Sequence, residues 1–362
     1  MTPEGTRTAD VVLDCRWLGV WGAGRVTQLL LRGLAEDAPD GRWVLWGGRA
    51  VEPLAWPGAR VVLTDTSPRA LFGQRSWLEV PRSALTVFMH QNRPLRPVPS
   101  ITLIYDTIGL RYGASPAVLQ ARRFFLRKVA ALSRTVVTIS RYSAECIARD
   151  LHVPPDRVSV VPLPVDPEAA GRLRDRRRST PPEDFALYVG WFAVHKNLPR
   201  LVAAFERTRF CAGGGRLVLA GGAADEVERV RAGLTTAQRR FVDVRGWCEQ
   251  DELDRLMASA RFLVQPSLEE GFGLPVLEAL AGGLPVCVSQ GGALPEVTRG
   301  LVPTFPPTSI EEMAGAIDRC WASTEDPQLT RRTAAAVLDG VPTVGEYARQ
   351  FRQVVEKELV RW

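Results

Sequence analysis

Short apolar runs rich in β-branched residues alternate along this chain with stretches whose apolar positions recur every three or four residues. In the first half the runs VVLDCRWL (11–18), RWVLWGG (42–48), RVVLTDT (60–66), LTVFMH (85–90), ITLIYD (101–106), TVVTIS (135–140) and RVSVVPL (157–163) read as strands. Helical spacing falls at 24–36, 116–133 and 143–151. In the second half FALYVGWF (185–192), RLVLAGG (216–222), VDVRGW (242–247), RFLVQPS (261–267) and PVCVSQ (285–290) read as strands. Between them LPRLVAAFERT, DEVERVRAGL and QDELDRLMASA have helical spacing. Such alternation predicts an α/β chain of parallel sheets covered by helices. The expectation is two Rossmann-like, doubly wound domains facing each other across a cleft, with ligands beyond the carboxyl ends of the strands. Residues 1–168 form the first domain and 185–342 the second. The charge- and proline-rich DPEAAGRLRDRRRSTPPED places a linker at 169–184. From 343 onward a last helix offers Tyr347, Phe351 and Val354 or Val355 as one apolar stripe.

Length and composition agree with this division. A chain of 362 residues exceeds what one core usually organises, and 46% hydrophobic with 24% charged residues is ordinary for a folded domain pair. No apolar run is long enough for a membrane span, and the polar start lacks a signal-peptide core, so a cytoplasmic location is expected. The six cysteines are widely spaced, without metal-ligand or redox spacing, and read as reduced thiols. A formal charge of +6 hints at an anionic partner. Lysine occurs only at 128, 196 and 357, which makes a lysine inside a motif worth notice.

The segment QPSLEEGFGLPVLEALAGGLPV (265–286) raises the chemical question. Glu269 and Glu270 precede a Gly-Phe-Gly turn between a strand and a short helix, and Glu278 follows within that helix. Such a loop delivers backbone N–H groups to a helix N-terminus, which suits phosphate. Carboxylates beside phosphate make sense only as acceptors from hydroxyls, and hydroxyls on both sides of a diphosphate describe a nucleotide sugar. The same residues also fit a capped helix with two exposed glutamates.

Paired glutamates enclosing EGFGLPVLEA resemble the signature of glycosyltransferase family 4, retaining enzymes of GT-B architecture. LYVGWFAVHKNLPRLVAAF resembles that family's phosphate-binding segment, with Lys196–Asn197 at its Lys-Asn pair, and LVLAGG, VRGWCEQDELDRLMASARFLVQPS and GGALPEV follow in the expected order. GVWGAGRVTQLLLRGL resembles the N-terminal glycine loop and helix, and ITLIYDTIGLRY the segment that usually reads His-Asp-Leu. Two positions depart: Trp191 stands where arginine often follows the glycine, and Tyr105 where histidine is usual.

The resemblance implies that the last helix, 343–362, crosses back onto the first domain, and that a hexose-type sugar is transferred from a nucleotide-sugar donor to a hydroxyl of a glycan, lipid-linked glycan or small metabolite. Lys196 would bind the donor phosphates, Glu278 the ribose, and Glu270 the transferred sugar. Gly271, Phe272, Gly273, Leu274, Gly190 and Trp247 complete the donor side in the second domain. Gly22, Gly24 and Arg25 would approach the diphosphate from the first, where Asp106 and His90 are the acceptor-side candidates. Glu269 is expected to be a solvated neighbour. No Asp-x-Asp occurs, so neither metal nor cofactor is implied, and the anionic partner is the donor rather than nucleic acid.

Two rival classes remain. GVWGAG after VVLDCRWL superficially suggests a dinucleotide loop, but the next strand ends in glycines and Arg49 rather than an acid, disfavouring NAD and leaving an NADP-dependent oxidoreductase. A non-catalytic sugar-nucleotide binder is the other. ARRFFLRKVAALSR (121–134) also reads as a basic amphipathic helix able to make weak peripheral contact with an anionic membrane, against the simpler reading of a sheet-packed helix with solvated arginines.

Overall fold

The computed structural model describes residues 9–19, 21–36, 43–67 and 80–360. They divide into two compact units. The first takes the chain up to Leu110, Ala114–Pro164 and the segment from Pro342; the second takes Arg111–Gly113 and Val165–Val341.

In the first unit the seven strands are β1 (Ala9–Asp14), β2 (Trp43–Gly47), β3 (Arg60–Leu63), β4 (Ser83–Phe88), β5 (Ser100–Leu103), β6 (Thr135–Thr138) and β7 (Val158–Val160). They pair in parallel in the order β3-β2-β1-β4-β5-β6-β7. Strands covered on both faces must be apolar throughout rather than alternating, and β2 is buried at all five positions. The order reverses between β1 and β4, which puts the ligand-accepting end of this sheet at Asp14 and Phe88.

The helix expected at 24–36 starts at Trp21, so Gly22 and Gly24 lie in its first turn rather than in a loop before it. A Cβ on Gly24 would stand 2.8 Å from both Gly19 N and Trp17 O, so its small size lets the helix start close against the β1 exit.

The last helix, described over Val344–Val360, belongs to this first unit and lies along Trp21–Glu36. Residues 361 and 362 of the run read as helical lie outside the described residues. Tyr347, Phe351 and Val355 are buried, the stripe that the spacing suggests. Gly33 is where the two helices touch: a Cβ there would meet Val344 O at 2.6 Å and Ala348 Cβ at 2.7 Å. Buried Glu358 accepts a hydrogen bond from Thr135 Oγ1 at 2.9 Å and ties the helix to β6.

The second unit holds β8 (Phe185–Val189), β9 (Arg216–Ala220), β10 (Val242–Val244), β11 (Phe262–Gln265), β12 (Val286–Ser289) and β13 (Thr304–Phe305). These are also parallel, in the order β10-β9-β8-β11-β12-β13, with the reversal between β8 and β11. Its core is aromatic. Phe210 sits 5.2 Å from both Phe262 and Trp321, and Phe205, Phe305 and Tyr188 are fully buried.

Residues 169–184, expected as a linker, are mostly helical and integral to this unit: Pro167–Ser179 is a helix capped by Asp166, which accepts from Glu168 N and Ala169 N. Its burial is confined to Ala170 and Leu173, too little for a visible apolar stripe. Arg177 adds what periodicity cannot show. Its guanidinium donates to the carbonyls of Met257, Ala258 and Ala260 at 2.9–3.1 Å, satisfying the end of helix Gln250–Ser259.

Candidate functional site

The site of the second unit forms where β8 and β11 separate, at the reversal of strand order. The chain leaving β8 makes a single turn of 3-10 helix, Val194–Lys196, and the chain leaving β11 runs through Glu269 and Glu270 into helix Leu274–Ala281. Two hydrogen bonds hold these two loops side by side, and a third ties them to the chain leaving β13 at Pro307. Leu268 N donates to His195 O at 2.7 Å, while the amide of buried Asn197 donates to Pro266 O at 3.0 Å and Pro307 O at 2.7 Å. Asn197 takes a left-handed conformation (φ 61°) to do so, which its short polar side chain tolerates.

Within that frame Lys196 Nζ meets Glu270 Oε2 at 2.6 Å, with side chains 13% and 15% exposed. Ser267 Oγ donates to the same oxygen at 3.0 Å, and Gln265 Nε2 lies 3.2 Å from it. Burial raises the Glu270 carboxyl, but the Lys196 charge and the hydrogen bonds from Lys196 and Ser267 outweigh it, and the group sits below its ordinary range. His195, beside the pair, is pushed down to about 4, first by burial and then by the Lys196 charge, so it is neutral near pH 7.

The Glu270 backbone is clamped as well. Ala293 N donates to Glu270 O at 2.8 Å, and Gly292 (φ 67°) packs so closely that a Cβ would fall 2.3 Å from Glu270 O and 2.4 Å from its N. Only glycine fits there.

Gly271, Phe272 and Gly273 are buried in the turn, Gly273 at φ 102°, and Leu274 opens the helix, half-buried. Glu278 lies on that helix, half-buried, one turn beyond Leu274. Gly190 follows β8 directly, and Gly190 N donates to Ala220 O at 3.0 Å. Gly221 N donates in turn to Gly246 O at 3.0 Å, so the β8, β9 and β10 exits are neighbours, with Trp191 half-buried and Trp247 59% exposed beside them. The donor-side candidates of the second unit are thus gathered at one edge of one sheet.

Glu269 corrects its expectation. It is 4% exposed rather than solvated, and Arg111, whose short segment belongs to this unit, donates to it through Nε at 2.9 Å and again through Nη2. The adjacent Tyr112 ring lies 5.7 Å from His195. Nothing in the spacing of Arg111 and Glu269, 158 positions apart, announces the pair. Gln265, Ser267 and Gly292 were likewise not singled out. The one local signal was that polar Gln265 and Ser267 end an otherwise apolar strand run.

The candidates in the first unit cluster at its own strand-order reversal. His90 follows β4, stacked 4.0 Å from the Trp17 ring and 6.1 Å from that of Tyr105. Its Nδ1 accepts from Asn92 N at 3.0 Å, so a neutral ring carries its proton on Nε2. Burial pushes His90 down to about 4, and the nearby Asp14 charge only partly opposes this. Tyr105, in the usual histidine position, donates to Met89 O at 2.9 Å.

Asp106 accepts from Ile108 N at 2.9 Å and so shapes its own turn. Gly22 is exposed at the helix start, and Arg25 is half-buried one turn in. Beneath them lies an unexpected buried ion pair. Arg16 Nε and Nη2 each donate to Asp14 at 2.8 Å, and the guanidinium stacks 4.1 Å from the Trp46 ring.

Comparison with known proteins follows the same division. The family model for "Glycosyl transferases group 1" matches residues 183–323, and that for "Glycosyltransferase Family 4" matches residues 58–169. The O-antigen chain mannosyltransferase B of Escherichia coli is 28% identical over 201 residues, covering 51% of this chain and 51% of that protein. The MMP alpha-(1->4)-mannosyltransferase of Mycolicibacterium hassiacum is 31% identical over 201 residues, covering 53% of this chain and 46% of that protein. The chain thus spans about half the length of these curated relatives.

Among solved structures, sucrose-phosphate synthase from Thermosynechococcus elongatus superposes with a TM-score of 0.72 at 19% identity, covering 98% of this chain and all of that one. Anabaena HepE in complex with UDP-glucose gives 0.69 at 16%, covering 96% and 99%. At such identity these neighbours speak for the fold. With each unit matched by its own family model and the whole by this architecture, the chain belongs to glycosyltransferase family 4 and has the GT-B fold.

Proposed function

We propose that the protein transfers a hexose-type sugar from a nucleotide-sugar donor to an acceptor hydroxyl of a glycan, lipid-linked glycan or small metabolite, with retention of configuration. The observation that carries this is the Lys196–Glu270 pair, an ammonium and an ionised carboxylate 2.6 Å apart and both partly reachable. Lys196 supplies the charge for a diphosphate, and Glu270 the acceptor for sugar hydroxyls. Glu278 on the following helix serves the ribose, and exposed Trp247 offers a ring to the donor. The printed activities of the two curated relatives make mannose the first sugar to try, and the UDP-glucose of HepE the second.

In the step we envisage, the bond from the anomeric carbon to the diphosphate oxygen breaks as the sugar passes through an oxocarbenium-like state. The acceptor oxygen bonds to that carbon on the same face, and its proton goes to the departing diphosphate oxygen. Lys196 stabilises the charge that builds there, so no metal or cofactor is needed for that task. His90, neutral, and Asp106 are the candidates for orienting the acceptor.

A thermal-shift panel of UDP, GDP, ADP and dTDP sugars tests the donor assignment, because a ligand of the folded state raises the melting temperature. Product stereochemistry by proton NMR tests retention, and nicotinamide turnover tests the oxidoreductase alternative.

A second reading, peripheral membrane contact, draws on helix Pro116–Leu132. It carries no acidic residue and leaves Phe124 63% exposed, with Lys128 Nζ 5.4 Å from the ring. No helix among the described residues is long and apolar enough to cross a membrane. Co-sedimentation with anionic liposomes at low salt tests this contact, and a protein that stays in the supernatant refutes it.

A further inference from the structure

We infer that Gln265 and Ser267 are positioning residues that fix which Glu270 oxygen meets the ligand and keep Glu270 ionised once Lys196 turns to a phosphate. The inference rests on the reading of Glu270 as the acceptor for hydroxyls of the transferred sugar. Three donors converge on Glu270 Oε2: Lys196 Nζ at 2.6 Å, Ser267 Oγ at 3.0 Å and Gln265 Nε2 at 3.2 Å. A carboxylate oxygen has about two lone-pair sites, so three donors saturate Oε2 and leave Oε1 for a hydroxyl.

The arrangement is built rather than incidental. Gln265 is 1% and Ser267 0% exposed, and Gln265 Nε2 also reaches Ser267 Oγ at 3.0 Å. Ser267 is held in turn, because buried Ser289 donates its Oγ to Ser267 O at 2.5 Å. The other end of the Gln265 amide, its Oε1, is buried with no hydrogen-bond partner.

These neutral donors matter most at the moment of donor binding. Lys196 has three N–H donors and is the natural partner of a diphosphate. As its charge is shared with phosphate, Glu270 loses part of what opposes its burial, and its affinity for protons rises. A protonated Glu270 becomes a hydroxyl donor with reduced capacity to accept from the sugar. Ser267 and Gln265 carry no charge that phosphate could take, so they hold the carboxylate in its accepting form throughout.

The test is isothermal titration calorimetry of wild type, Ser267→Ala, Ser267→Thr and Gln265→Met with GDP, GDP-mannose, UDP and UDP-glucose. For whichever base the wild type accepts, Ser267→Ala and Gln265→Met should bind the bare nucleoside diphosphate within about twofold of wild type. The matching nucleotide sugar should bind about tenfold more weakly, and the gap should widen as pH falls from about 8 to 6, because the less supported carboxylate protonates first. Ser267→Thr keeps the hydroxyl and should restore wild-type ratios. Equal weakening for both ligands, or none for the sugar nucleotide, overturns the inference. Should Ser267→Ala fail to fold, Gln265→Met decides alone. A wild type that binds none of the four ligands, and no ADP or dTDP sugar either, overturns the donor reading itself, whereas binding with unchanged ratios in the variants overturns only the positioning role.

Discussion

Beyond the carboxyl end of β11, Glu270 is ionised against Lys196 with both side chains partly reachable; at the last residue of β1, Asp14 is locked to Arg16 beneath a tryptophan with neither reachable. Both are ion pairs at the strand-order reversal of a parallel sheet. Only the first has a charge that a ligand can compete for. Its supporting groups are neutral donors, so the pair can open without leaving a bare buried charge. In the first unit, separating Asp14 from Arg16 would strand both in the core, and the nearby His90 is held neutral. The comparison teaches that an ion pair at a sheet edge can be left partly reachable, as Lys196–Glu270 is, or closed into the core, as Asp14–Arg16 is.

The sharpest way to break this comparison is through stability. Asp14→Ala leaves Arg16 buried without its partner and should cost about 3–5 kcal/mol in chemical denaturation. A loss below about 1 kcal/mol would mean the pair is not structural. Phe351→Ala, emptying the stripe of the last helix, should cost a similar ~3–5 kcal/mol and loosen the first unit. Hydrogen exchange that shows the second unit loosening instead would contradict it.

Next in size are the ligand effects. Lys196→Ala and Glu278→Ala should each reduce donor binding or transfer at least about tenfold, roughly 1.4 kcal/mol, with the fold intact. Normal kinetics in both variants would remove the donor site from this sheet edge.

The smallest effect is the pH dependence of stability. His90 and His195 both have folded-state values near 4, below the ordinary 6.5. Between those values the unfolded chain binds more protons than the folded one, so stability is full above about pH 6.5 and declines as pH falls toward 4. His90→Gln should flatten the part of this decline that belongs to the first unit, and His195→Gln the part belonging to the second. Melting curves across that range decide it. An unchanged slope in either variant would show that histidine to be exposed enough to charge freely.

Some of this was legible in advance, and the reason differs by element. Every strand run read from the sequence holds a strand, because the inner strands of a sheet covered on both faces need an unbroken apolar run, which is a local property, and the less buried edge strands β3 and β7 still keep short valine-rich runs. β13, only two residues long, has no such run to read. The start of helix Trp21–Glu36 was misjudged because its glycines look like a loop, although they serve close packing. Helix Pro167–Ser179 reads as a linker in the sequence because its apolar attachments are only Ala170 and Leu173, the rest being Arg176 on Asp251 and the guanidinium of Arg177 on distant carbonyls.

The candidate site divides along the same line. The residue types and order of Lys196, Glu270 and Glu278 could be read directly, since a lysine is rare here and a Glu-Gly-Phe-Gly turn has few uses. Which of them touch could not. Lys196 and Glu270 are 74 positions apart, and their pairing depends on β8 and β11 being neighbours in the sheet.

The sequence by itself therefore determined the class of fold, the strand runs and the chemical vocabulary of the candidate site, because each follows from apolar periodicity and residue type over a few positions. The tertiary structure alone decided that Glu269 is buried against Arg111, that Gln265 and Ser267 stand behind Glu270, and that Asp14 is closed to solvent. Those outcomes depend on which strand exits lie side by side, and burial with its partner is a property of that neighbourhood rather than of the residue.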